Sequence, residues 1–459
     1  MAGIGFVLQK LTARGDLLGL AQGYAHASIS SSGGWLFTIA TLSLITFFGP
    51  HFATYSDLSA FRLIVVYNFA FSLVLTGPLI LVLTRFLSDQ IFARTTDGIP
   101  GMVIGGLVVA IVSATPFALP LYFWYVDLTM AARAAAWIGY ALVSSIWVLG
   151  VFLSTLKEYA SVTRTFGIGM VVSLVSAYWA GPNAGVAGML LGFDVGLAFI
   201  VFALVARVFA EFPVPVQRPF AFVSYFRTNW TLALGGGVYF LGIWVDKWIM
   251  WMAPERIVQP IGLVSYPDYD SATFLAALSI VPSMAVFVVN IETRFFERYH
   301  RFYRDIGGHA TLARIRENQS SLLSAVFLGS RQLVLPQAVL VGAVLVLAPV
   351  LFTLLDIPYG QLAIFRIAML GALFQLFFVL LTIVLSYLDL SRVTLALYCL
   401  FLGTNTLATL GTLYLGFPYY GYGYFVASVV AFLAACLVTF RCLDELPYHA
   451  FITGNASVK

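Results

Sequence analysis

Long apolar runs that charge almost never interrupts make up most of this chain. About twelve stretches of roughly 20 apolar residues follow one another, each long enough to cross the hydrocarbon of a bilayer as a helix. Of 459 residues, 61% are hydrophobic and 10% are charged. A soluble domain carries roughly 45–50% apolar and about 25% charged residues. A chain of this size in water would also split into domains with polar exteriors. Lipid is therefore the solvent for most of it. The runs are continuous, without the alternation of barrel strands, so the expected fold class is an all-α integral membrane protein. Roughly 200 residues remain for two termini and eleven connections by the same arithmetic, which excludes a large soluble domain.

The runs fall at 32–50, 62–84, 101–125, 134–156, 162–181 and 185–208, then at 228–252, 272–292, 332–355, 361–386, 393–415 and 421–441. Placement of Lys and Arg orients them. With the N-terminus cytoplasmic, all of the 24 basic residues lie on the inner face except Arg62, Arg133, Lys247, Arg256 and Arg366. One missed helix would scramble that bias. The expected architecture is thus about twelve transmembrane helices in two six-helix bundles, with both termini cytoplasmic. Its parts are an amphipathic segment (1–29), a first bundle (30–209), a cytoplasmic linker (210–227), a second bundle (228–441) and a tail (442–459). Gly33-Gly34-Trp35-Leu36-Phe37 opens one half and Gly236-Gly237-Val238-Tyr239-Phe240 the other. Two parallel repeats of this kind suit a transporter with a central cavity.

Two segments outside the runs are amphipathic. Ile4, Val7, Leu8 and Leu11 recur at helical spacing with Lys10 and Arg14 on another face, the pattern of a helix lying on the membrane surface. No small-residue cleavage site follows, so no removable signal is expected. The longest inner connection is 293–331, where Phe295, Tyr299, Phe302, Tyr303 and Ile306 form one stripe and Arg294, Arg298, Arg301 and Asp305 another. Such a helix can rest on anionic headgroups. Alternatively, Phe295, Arg298, Tyr299, Arg301 and Phe302 offer a docking face to a cytoplasmic partner.

Several chemistries are excluded. Cys399, Cys436 and Cys442 lie in or beside apolar runs, and the five histidines are scattered, so neither a disulfide framework nor a metal site is expected. No P-loop is present, so the chain does not hydrolyse ATP through one. Asp268-Tyr269-Asp270 resembles the Asp-x-Asp of nucleotide-sugar glycosyltransferases, but it falls on the outer face, where nucleotide sugars are not available. The net charge is only +4. No enzymatic activity, cofactor or nucleic-acid partner is expected.

Charge inside the runs is the short list for function, because a mid-bilayer carboxylate or ammonium costs about 2.5–3.5 kcal/mol to insert. Asp194 sits mid-run in Leu191-Gly192-Phe193-Asp194-Val195-Gly196. It either lines a cavity, titrating or binding a coupling ion, or bonds a neighbouring helix. Asp246 and Lys247 lie in the outer half of the seventh run. Adjacent helical residues point about 100° apart, so each is expected to seek another partner, with Arg366 in the tenth run a candidate for Asp246. Asp194, Asp246, Lys247 and Arg366 are therefore the candidate translocation-path or gate residues. Arg62 and Arg133 either meet headgroups or ring an exit path. Tyr122, Trp124, Tyr125, Trp179, Trp251, Tyr359, Tyr414, Tyr419, Tyr420, Tyr422 and Tyr424 fall near the outer interface, where an aromatic belt is the default and sugar-stacking platforms are the alternative.

Several strings resemble one family. Met1 to Leu11 (MAGIGFVLQKL), Ser30 to Trp35, Trp147 to Tyr159 (WVLGVFLSTLKEY), Gly242 to Trp251 (GIWVDKWIMW) and Val289 to Phe296 (VNIETRFF) are similar to the membrane exporter subunit of the Pel exopolysaccharide system, PelG. The resemblance spans nearly the whole chain, in register with the runs. It implies a fold like the polysaccharide flippases of the multidrug/oligosaccharidyl-lipid/polysaccharide (MOP) superfamily, which includes the multidrug and toxin extrusion (MATE) transporters. It also implies residence in the bacterial inner membrane and export of a galactosaminoglycan-type polymer for the biofilm matrix. The implied partners are a cytoplasmic glycosyltransferase, a cyclic-di-GMP receptor with its own membrane helices and a third membrane subunit. The rival readings are an ion-coupled antiporter of small molecules or lipid-linked oligosaccharides with the same fold, and a scaffold that anchors a synthase without conducting.

Overall fold

The computed structural model describes residues 36–153, 159–290, 295–448 and 451. The expected surface helix within 1–29 and most of the tail beyond 448 lie outside these residues. The described chain is almost entirely helical, and eight of its helices are long and apolar enough to cross a membrane.

Two compact units divide it, one ending at Tyr266 and the other beginning at Pro267. The first contains α1 (Leu36–His51), α2 (Tyr55–Phe92), α3 (Ile99–Pro120), α4 (Met130–Leu153), α5 (Tyr159–Glu211), α6 (Val223–Thr228) and α7 (Trp230–Met250). The second contains α8 (Pro267–Leu278), α9 (Val281–Asn290), α10 (Phe296–Gly307), α11 (Leu312–Leu354), α12 (Leu362–Tyr387), α13 (Ser391–Leu415) and α14 (Tyr422–Asp444). The division falls later than the 210–227 linker because α7 packs along α2 in the first unit.

Sequence explains where the helices start and break. Thr54 caps α2, accepting from the Asp57 amide at 3.1 Å and donating to the Asp57 carboxylate at 2.7 Å, a reciprocal N-terminal lock. Pro116 and Pro120 deprive α3 of helical N–H donors, and the chain leaves it through a π-helical turn, Leu121–Tyr125. Within α5, Gly185 adopts φ +53°, and the 53-residue element doubles back there into two limbs. A Cβ at Gly192 would lie 2.4 Å from the Ala177 nitrogen, and one at Gly196 would lie 2.2 Å from the Gly169 carbonyl oxygen. Glycine thus lets the limbs meet backbone to backbone. The two runs at 162–181 and 185–208 are these limbs. The run at 272–292 is broken into α8 and α9. The break is cross-linked by Gln337, which accepts from the Ser283 hydroxyl at 2.5 Å and donates to the Ser279 carbonyl at 3.1 Å.

The α2–α7 pair is a wedge. At one end Gly77 and Gly236 touch, a Cβ on Gly236 falling 2.2 Å from the Gly77 oxygen. At the other end rings fill the gap: Phe71 stacks on Trp248 at 4.5 Å and Tyr67 on Trp251 at 4.8 Å. Tyr67 also donates to the Val264 carbonyl at 2.7 Å. It thereby fastens the small hairpin of β1 (Ile257–Val258) and β2 (Val264–Ser265) to α2.

The amphipathic helix α10 packs on its own unit. Phe295 and Phe302 are buried in a core with Ile315, Leu388, Leu443 and Leu446, and Tyr299 lies against Phe295 and Tyr387. The apolar stripe therefore covers the ends of α11, α12 and α14 instead of offering Phe295 and Phe302 to a partner. Arg301 is exposed and pairs with Glu297 at 3.3 Å, while Arg298 is half-buried. Gln319 donates to the carbonyls of Leu443 and Asp444 at 2.9 and 2.8 Å, satisfying acceptors that the end of α14 leaves free.

Candidate coupling site

Asp194 lies on the second limb of the α5 hairpin, two residues past Gly192. The glycine edge faces the first limb, so the carboxylate faces away from it, toward α2, α3 and α4. It is 5% exposed. Gly139 on α4 makes room for it: a Cβ there would stand 2.6 Å from Asp194 Oδ1 and 3.1 Å from Asn68 Nδ2. Asn68 donates to the Ala136 carbonyl at 3.2 Å and accepts from the Tyr122 hydroxyl at 2.6 Å. Tyr122 arrives from the π-helical turn that the α3 prolines create, and such turns recur at functional sites. Tyr140, one residue past Gly139, completes the group.

Two polar atoms in this group are unmatched. Asp194 Oδ2 and Tyr140 Oη are buried with no hydrogen-bond partner. A buried ionised carboxylate is costly unless paired, which makes Asp194 the candidate in this group for holding a proton or a monovalent cation. The donor set of the group is oxygen-rich and carries one formal charge, which suits either. Among the described residues, no group of three or more His, Cys, Asp or Glu could hold a metal ion.

The other in-run charges lie elsewhere. Lys247 Nζ approaches Asp246 Oδ2 to 3.1 Å and donates to the Ile243 carbonyl at 3.1 Å. The divergence of adjacent side chains is overcome because the four-carbon stem of Lys247 folds back along its helix, and Asp246 is fully buried. Asp246 is thus ion-paired within α7. Arg366 is exposed on α12 of the other unit. Arg133 closes the end of α3, donating to the carbonyls of Leu128 and Phe123 at 2.8 and 2.9 Å.

Sequence reasoning found Asp194 but not its neighbours. Asn68 carries no charge to betray it, and Tyr122 reads as part of the outer aromatic belt. Trp124 and Tyr125 are 80% and 64% exposed, as that belt requires, whereas Tyr122 is fully buried. The signal available was the proline pair just before Tyr122. Trp251, Tyr420 and Tyr424 are likewise buried rather than interfacial.

Eight helices long and apolar enough to span, with charge placed inside them, define a multi-pass membrane protein. Solved structures agree on the fold. A MOP superfamily transporter from Pyrococcus furiosus is 13% identical, covering 92% of this chain and 95% of its own, with a TM-score of 0.65. A multidrug resistance MATE family transporter in an outward-facing conformation is 14% identical, covering 98% and 99%, with a TM-score of 0.63. A variant of the Vibrio cholerae MATE transporter VcmN is 15% identical, covering 96% and 98%, with a TM-score of 0.65. No curated protein sequence matches the chain. The PelG family, described as exopolysaccharide exporter (EPS-E), matches residues 1–451. The chain belongs to that family.

Proposed function

We propose that this protein moves a Pel-type galactosaminoglycan from the cytoplasm to the periplasm across the bacterial inner membrane, as the conducting member of a synthase–transport complex. The family match over residues 1–451 carries this reading. The chain crosses twelve times in it, with both termini cytoplasmic: α1, α7 and the broken α8–α9 pair cross along with the longer helices, and α5 crosses twice. The polymer comes from a cytoplasmic glycosyltransferase. That enzyme, together with the cyclic-di-GMP receptor subunit and a further membrane subunit, docks on cytoplasmic surfaces that include the arginine-bearing side of α10, Arg298 and Arg301. Asp194 is the coupling group, alternately loaded and emptied of a proton or monovalent cation as the first unit changes shape. Asp246 and Lys247 in the first unit and Arg366 in the second are the remaining candidate gate residues.

The test is Asp194→Asn in the intact complex, with secreted polymer measured against membrane protein level. Export lost at normal protein level supports the coupling role; unchanged export removes it. The MATE-like fold favours one rival, an ion-coupled small-molecule antiporter. Purified protein in proteoliposomes separates the two, because only the rival moves small solutes in exchange for an ion running down an imposed gradient, without a synthase.

A further inference from the structure

Between α5 and α7 the chain lies as a strap across α3. Pro213, Pro215 and Pro219 keep it from continuing as helix. Its backbone crosses α3 where that helix has no side chains. A Cβ on Gly101 would fall 1.9 Å from the Gln217 carbonyl oxygen, and one on Gly105 would fall 1.7 Å from that of Pro219. Glycines spaced i, i+4 share one helix face, so the two make a single groove. Phe222 closes the seat. Its side chain is fully buried, and its Cε1 would stand 3.2 Å from the same Cβ on Gly105. Just beyond, Tyr225 of α6 meets Phe86 of α2 edge-on at 4.8 Å, and α7 begins at Trp230.

Shape rather than hydrogen bonding holds the strap in place. Among the described residues, the hydrogen bonds of 212–222 stay within the segment and the adjoining ends of α5 and α6. Phe212 donates to Val208 at 3.0 Å, Ala221 to Arg218 at 3.1 Å and Val223 to Phe220 at 3.0 Å, and none reaches α3. Gln217, Arg218 and Phe220 are exposed. Arg218 sits at φ +46°, a left-handed conformation that is costly for a residue with a side chain. A seat with no hydrogen bonds across it, next to a strained residue, is one that the chain can leave and re-enter.

We propose that this strap is a latch on the Trp230 end of α7. Seated, it keeps that end closed on α2 and α3. Lifted, it lets the end part from α2 as far as the Gly77–Gly236 contact and opens the first unit there. In the twelve-crossing reading proposed above, that end is cytoplasmic, where the polymer enters. Only this assignment to a face rests on that reading.

Thr231 is placed to report the open state, being 7% exposed in the first turn of α7. Full-length protein carrying Thr231→Cys with Cys399→Ser, Cys436→Ser and Cys442→Ser has one thiol, and its alkylation by N-ethylmaleimide in detergent is followed by intact mass. Phe222→Ala removes the ring that closes the seat and should speed alkylation about tenfold by populating the lifted state. Hydrogen exchange over 212–229 should rise with it. Gly105→Ala, which intrudes on the groove from the α3 side, should do the same and serves if Phe222→Ala does not accumulate. Phe220→Ala, on the exposed side of the strap, should change neither readout. Faster exchange without faster alkylation overturns the latch, and unchanged exchange overturns the seat. Equal acceleration by Phe220→Ala overturns both, because it would show general loosening. The measurement uses no polymer, synthase or coupling ion, so its failure leaves the export reading to its own test.

Discussion

Both units bury polar side chains where water is scarce, and the closed contacts of the second contrast with one open group in the first, although Gln361 Oε1 and Thr439 Oγ1 of the second unit are also unmatched. In the second unit, Gln375 accepts from the Tyr424 hydroxyl, Gln337 bridges Ser283 and the Ser279 carbonyl, and Thr409 donates to Asn405. These are closed contacts that fasten α12 to α14, α11 to the α8–α9 break, and one turn of α13 to the next. In the first unit, Asn68 is satisfied on both ends of its amide, yet beside it Asp194 Oδ2 and Tyr140 Oη stay unmatched. A closed contact stabilises one arrangement. In the function proposed above, the open group is met by a proton or cation that comes and goes with state. Loss of a closed contact should therefore show as lost stability, and loss of the open one as lost function.

The sharpest way to break this comparison lies in the first unit. Lys247→Met removes the cation beside the fully buried Asp246 and should cost about 3–5 kcal/mol, read as a lower unfolding temperature in detergent. Adding Asp246→Leu should restore most of it; if it does not, the pair is functional as well as structural. Next, Gln375→Leu or Gln337→Leu should cost about 1–3 kcal/mol by leaving a buried partner unmatched, with export falling only as far as protein level falls. Gln319→Ala should cost about 0.5–1.5 kcal/mol, read as faster hydrogen exchange at the end of α14. Asp194→Asn, a nearly isosteric change, should alter stability less than any of these while abolishing export. A large stability loss there would put Asp194 in the closed class.

A pH experiment probes a third case, at the α10–α11 corner. Asp305 accepts from Asn318 at 3.0 Å and from Arg314 at 2.9 Å, with Arg304 at 3.7 Å. The Asn318 amide first, and then the two guanidiniums, hold its carboxyl below the usual carboxylate value. A carboxyl depressed in the folded state stabilises above its unfolded value of about 3.9, and that contribution fades as pH falls through the lower folded one. Exchange protection of α10 should stay flat from about pH 7 to 5 and fall only below about pH 4. Loss of protection above pH 5 would show that these contacts do not hold the corner.

Much of the fold was legible because lipid makes a simple demand on sequence, namely continuous apolar length between charges. Even the α5 hairpin could be drawn as two runs parted near Gly185. The candidate site was half legible. Asp194 stands out because charge is scarce, whereas Asn68, Tyr122 and Tyr140 come from three other helices, and only tertiary packing brings them together. The Asp246–Lys247 contact depends on side-chain length, which spacing around the helix does not convey: the long Lys247 stem folds back to reach its neighbour. Phe295 and Phe302 depend on packing in another way. Their stripe is legible at helical spacing, but an amphipathic pattern does not say whether its apolar face meets lipid, a partner or the end of its own bundle.

The wedge between α2 and α7 also has a mechanical side. It is a lever with its fulcrum at Gly77 and Gly236, where no side chain separates the backbones. Trp251 lies 15 residues from Gly236, about 22 Å along the axis. A tilt of about 10° about the glycines would sweep that indole through roughly 4 Å by the same geometry, while leaving the fulcrum almost still. Any tilt of this helix pair would therefore be concentrated at the Tyr67–Trp251 end, the end tied by Tyr67 to the β1–β2 hairpin. Whatever loosens that hairpin sets how far the lever can travel.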